Sequence, residues 1–99
     1  MTPVTTIQRI MSISHDEFLR NLKPLGKHYP YRIDRRGRRI HLSIEDRTIE
    51  IRLGTEGYRR LGALELPETA VEFHFHNFEV QEIERFFFRF DLCFRRGGG

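Results

Sequence analysis

The run from 79 to 96, EVQEIERFFFRFDLCFRR, holds most of the chain's largest apolar side chains and sets the terms for everything else. At about 100° per residue, Val80, Ile83, Phe87, Phe90 and Phe94 fall on one stripe, with Phe86 and Cys93 on its flank, the pattern of a helix laid on a core. The run before it, 70–76, has period two instead. There Val71, Phe73 and Phe75 alternate with Glu72, His74 and His76, so the segment reads as a strand whose apolar face the helix covers.

Upstream, 4–13 is rich in β-branched residues, but Arg9 and Ile10 break its alternation, which suggests an edge strand. Ser14 and Glu17 have capping-box spacing, and Phe18, Leu19, Leu22 and Leu25 give a short helix its buried face before Pro24 and Gly26 end it. From Tyr29 the period is two again. Tyr31 and Ile33, then Ile40, Leu42 and Ile44, then Ile49, Ile51 and Leu53 make one apolar face over three strands. Turns are expected at Gly37 and at Asp46-Arg47, which would set Arg32 opposite His41 and His41 opposite Arg52. GTEGY at 54–58 reads as a turn, 60–66 as a further strand with Gly62 in a bulge, and Pro67-Glu68 as a turn into the last strand.

The expected fold is α+β: a two-layer sandwich with a mainly antiparallel meander of five to six strands, a short N-terminal helix and a long C-terminal helix on one face. Residues 1–96 form a single domain and 97–99 a flexible glycine tail. Of 99 residues, 38% are apolar and 31% charged, an ordinary balance for a globular chain, and nine phenylalanines fill the core with rings. One cysteine excludes an internal disulfide. With no leader-like start and no membrane-length apolar run, a cytoplasmic location and no membrane contact are expected.

The net charge of +3 is unevenly spread. Residues 35–60 carry eight basic against four acidic side chains, and 61–99 carry four against seven, so the middle of the chain suits a polyanion or an acidic surface. Arg35, Arg36, Arg38 and Arg39 surround Gly37, and Arg32, His41 and Arg52 extend the basic patch across the outer sheet face, where guanidiniums could grip successive phosphates. That face lacks aromatics for base stacking, so binding would be led by the backbone and largely indifferent to sequence.

Three further features bear on function. His74 and His76 project to one side of a strand and are metal-ligand candidates, but His41 is expected three strands away, roughly 14 Å, which leaves a closed site short of ligands. Phe88 and Leu92 lie on the outer side of the last helix beside Arg85, Arg89 and Arg96, a candidate contact for a protein partner or a second copy. The Gly97-Gly98-Gly99 end resembles the diglycine end of ubiquitin and of bacterial sulfur carriers. That resemblance implies a carboxy terminus that is adenylated and carries a group, although those families place a strand before the glycines and this chain a helix. No catalytic triad, nucleophile elbow or phosphate loop is present, so no enzyme activity and no cofactor is expected. The reading that follows is a small non-catalytic interaction module acting through a macromolecular partner or by self-association, with nucleic-acid binding at the basic hairpin as the alternative.

Overall fold

The computed structural model describes residues 4–95 and has the expected α+β architecture. Strands β1 (Val4–Met11), β2 (Tyr31–Ile33), β3 (Arg39–Ile44), β4 (Arg47–Leu61) and β5 (Leu64–His76) form one antiparallel sheet in the order β1-β5-β4-β3-β2. Helix α1 (His15–Leu22), a 3-10 turn (Lys23–Lys27) and helix α2 (Val80–Phe94) complete the chain.

Local chemistry places the helices. The Ser14 hydroxyl accepts from the Glu17 amide at 3.2 Å and starts α1, which buries Phe18 and Leu22, while Pro24 opens the 3-10 turn that buries Leu25. Between β5 and α2, Asn77 turns the chain with φ 66°, a left-handed conformation that asparagine tolerates better than most residues. Glu79 and Glu82 then form a reciprocal capping box at the start of α2. Arg47 pairs with Glu82 and lies 5.6 Å over the Phe78 ring, tying the β3–β4 hairpin to the beginning of α2.

The core lies between the sheet and the helices and is built on rings. Phe73 meets Phe90 edge-on at 5.2 Å and Phe86 at 6.2 Å, and Phe90 stacks on Phe94 at 4.3 Å. Phe18, Phe73, Phe75, Phe86 and Phe90 are all fully buried. The buried stripe of α2 is Ile83, Phe86 and Phe90, so Phe86 is central rather than flanking, and Val80, expected on the stripe, is 71% exposed.

The sheet differs from expectation in its long hairpin. There are five strands because 60–66 is not a separate strand: β4 runs straight through GTEGY with a bulge between Leu53 and Glu56, and the turn comes at Gly62, whose φ of 60° suits glycine. Gly54 crosses so close to β5 that a Cβ there would lie 3.1 Å from the Ala70 carbonyl oxygen. Pro67 sits inside β5 opposite Tyr58, where no third strand needs its missing amide proton. The ends of β4 and β5 therefore leave the sheet as a two-stranded ribbon, in a molecule measuring 48 × 27 × 25 Å. The break in β1 also has a physical reason. Arg9 faces inward, bonded to Asp91 at 2.6 Å and lying 4.0 Å over the Phe87 ring, while Ile10 faces out and is 67% exposed.

Candidate functional site

The face of the sheet away from the helices carries its polar side chains in transverse rows fixed by strand register. One row runs Arg32, His41, Glu50, His74, Thr6; the next runs Arg39, Arg52, Glu72, Gln8. Arg32 opposite His41 is as expected, but His41 faces Glu50 rather than Arg52. The hairpin turns at Glu45-Asp46, with Glu45 at φ 55°, one residue earlier than expected, and moving a turn by one residue moves every cross-strand partner by two. The same side chains stay on the same face, but the unbroken basic row is replaced by one with a carboxylate at its centre.

The carboxylates in the middle of the face are already occupied. Arg52 Nε donates to Glu50 at 2.5 Å and His41 lies 3.8 Å from the same carboxylate, while Glu72 accepts from His74 Nε2 at 3.0 Å and from Gln8 at 3.1 Å. At Glu50, desolvation opposes ionisation, but the Arg52 bond and charge, with the charges of His41 and Arg39, hold the carboxyl below its ordinary range. At Glu72 the His74 bond lowers the carboxyl against a smaller desolvation effect, helped by the His74 charge, Gln8 and Arg52.

The hairpin end is different. Asp34 Oδ1 accepts from the amides of Arg38 at 3.1 Å and Arg39 at 3.3 Å, and Gly37, just before them, holds φ 70°. Desolvation disfavours the Asp34 charge, but the amides of Arg39, Arg38 and Gly37 and the Arg39 charge outweigh it and pull the carboxyl down. Asp34 thus bonds backbone amides through Oδ1 and forms no hydrogen bond with a guanidinium of the described residues, although the Arg39 charge acts on it. Among the described residues, Arg32, Arg35, Arg36, Arg38 and Arg39 form no side-chain ion pair. Arg36, Arg38, Arg39 and Arg52 line one depression of about 470 Å³ with Asp34 and Leu53, and Arg32, His41 and Arg52 line a second of about 400 Å³ with Glu50, Ser43, Thr48 and His76. The two share Arg52. Arg39, expected in the basic hairpin, completes the cluster, and the alternation of β3 puts it beside His41 on the open face.

The remaining candidates are distributed elsewhere. The His41 strand lies two places from the His74 strand, not three, because the expected strand at 60–66 is divided by the turn at Gly62 between the end of β4 and the start of β5. His74 is engaged by Glu72 and by Thr6, 3.2 Å away, and His76 belongs to the neighbouring row with Thr48; among the described residues no group of three or more metal-ligating side chains comes together. Cys93 is half-buried, and burial pushes its thiol up, away from the reactive thiolate. On α2, Phe88 is 69% and Leu92 48% exposed, with Arg85 also exposed and Arg89 Nη1 donating to His28 Nε2 at 2.9 Å. Arg96 and Gly97, Gly98 and Gly99 lie outside the described residues. No helix among the described residues is long and apolar enough to cross a membrane.

No protein-family model, curated protein or solved structure matches the chain.

Proposed function

We propose that the chain is a non-catalytic binding module whose working surface is the arginine end of the open sheet face, and that its partner is a nucleic acid held by its phosphates. One observation carries this reading: four arginines line a single depression, three of them without an ion-pair partner among the described residues and the fourth, Arg52, bonded to Glu50, while the lining carboxylate, Asp34, is bonded to backbone amides. Arg39 and Arg52 stand directly opposite each other, and Glu50, bonded to Arg52, offsets only part of this concentration of like charge, so an anion between them is favoured. Arginine's planar fork suits phosphate oxygens, and shared Arg52 makes the two depressions one track across β2, β3 and β4. Tyr58 is the large exposed aromatic of the strands, and it lies on the ribbon away from this track, so recognition is of backbone rather than base.

The test is fluorescence anisotropy with short labelled RNA and DNA over a range of salt. Binding should weaken linearly in log salt, and Arg36→Ala/Arg38→Ala/Arg39→Ala should reduce the slope by roughly 2–3, about 0.9 for each duplex phosphate that is no longer neutralised. A slope that the triple variant leaves unchanged, or no binding at low salt, would contradict the proposal.

A second reading, a protein contact on α2, is favoured by the outward Phe88 and Leu92. Phe88→Glu should then abolish capture of that protein while leaving nucleic-acid affinity and the thermal melt unchanged; retained capture counts against it.

A further inference from the structure

Strand β1 lies at the end of the sheet away from the arginine hairpin, and among the described residues nothing pairs with its outer side. An edge strand presents a row of unpaired amide and carbonyl groups, and proteins commonly blunt such edges with brevity, proline, lysine, a bulge or an inward-pointing charge. The other free edges here are blunted. β2 is three residues long and leads into the arginine turn, while the ribbon carries the bulge after Leu53, Pro67 and charges. β1 has one of them, the inward-pointing charge of Arg9, and that charge is taken up within the molecule by Asp91. Its eight residues, VTTIQRIM, pair with β5 without a break, and its one charge, Arg9, is turned inward to Asp91 and Phe87. It also exposes Val4 and Ile10, 52% and 67%, on an otherwise polar face.

We propose that β1 is a self-association edge, pairing antiparallel with β1 of a second copy about a twofold axis through Ile7, so that two five-stranded sheets become one of ten. The side chains select that register. With Ile7 on the axis, Val4 faces Ile10 of the second copy, Thr6 faces Gln8 and Ile7 faces its own counterpart, so apolar meets apolar and polar meets polar on both faces. Shifting the axis to Gln8 sets Ile10 against Thr6 and Ile7 against Arg9; shifting it to Thr6 sets Val4 against Gln8. This self-matching pattern points to a second copy rather than a foreign strand. The two exposed apolar residues thereby gain a partner, and both arginine surfaces stay free at the outer ends of the joined sheet.

Sedimentation velocity and light scattering on the full chain, at rising concentration, test this. The wild type should form a dimer. Val4→Lys/Ile10→Lys, which sets like charges against each other twice per dimer, should be monomeric with an unchanged circular dichroism spectrum. Val4→Lys/Ile10→Glu, which sets opposite charges across the axis, should regain the dimer, and Phe88→Glu should keep it. A second readout uses the wild type alone: hydrogen exchange of the outward β1 amides should slow as concentration rises. A wild type that is monomeric in the high-micromolar range would overturn the proposal. So would lysine and charge-swapped variants that behave alike, a dimer abolished by Phe88→Glu, or β1 exchange that does not change while the mass doubles.

Discussion

Phe73 touches the rings of Phe75, Phe86, Phe87 and Phe90, joining the sheet to α2 at the centre of the core. Phe73→Ala should therefore cost about 3–5 kcal/mol in urea unfolding, a large share of the stability of a domain this size. Thr69 is a buried polar residue whose hydroxyl donates to the Ile13 carbonyl at 2.8 Å and joins β5 to the segment entering α1. Thr69→Val keeps the shape and removes the donor, so a loss of about 1–3 kcal/mol is expected by the same measurement. The carboxylates of Glu50 and Glu72 titrate below their ordinary range in the folded chain. Their contribution is complete above the unfolded value and is lost as pH falls through the folded one, because the unfolded chain then binds more protons. Urea midpoints should drop on acidification, and Glu72→Gln should make that drop shallower; an equally steep acid limb in the variant would remove Glu72 from the explanation. Burial at this scale is largely legible in the sequence. Val71, Phe73 and Phe75 are buried as their alternation implies. Arg9 is not legible, because its partner Asp91 is distant in sequence and a cation over a ring leaves no periodic mark.

At the scale of elements, both helices and the edge strand follow from capping residues and apolar spacing, whereas the long β4–β5 hairpin does not. Glycine marks turns and bulges alike, and the sequence does not say which role Gly54, Gly57 and Gly62 each take: the chain bulges after Leu53 and turns at Gly62, the reverse of the expected order. The β3–β4 turn, which holds no glycine to mark it, comes one residue earlier than expected, which keeps the contents of the open face but changes who stands opposite whom. The turn of the basic hairpin is legible because Gly37 is the one residue there suited to φ 70°. Gly37→Ala should cost about 1–2 kcal/mol through backbone strain, since its Cβ would meet Leu19 at an ordinary 3.5 Å. A thermal melt indistinguishable from wild type would show that the turn relaxes without cost.

Across the whole molecule, charge is segregated. Carboxylates at the middle of the open face are paired with His41, Arg52 and His74, while the β2–β3 end holds guanidiniums without ion-pair partners among the described residues. The basic middle of the sequence foreshadows this, but the state of Asp34 is visible only in the fold, where its carboxylate is bonded to amides. If β1 joins two copies, two arginine surfaces act together, and Val4→Lys/Ile10→Lys should weaken binding to long nucleic acids more than to short ones. Equal loss on both lengths would argue against bivalent engagement. The proposed surface itself is tested most directly by amide chemical shifts of the labelled chain during titration with short RNA and DNA at low and at physiological salt. We predict shifts concentrated at Arg32, Arg36, Arg38, Arg39, His41 and Arg52 that fade as salt rises. Shifts confined to α2 around Phe88 and Leu92, or none at low salt, would contradict a phosphate-binding role for the arginine end.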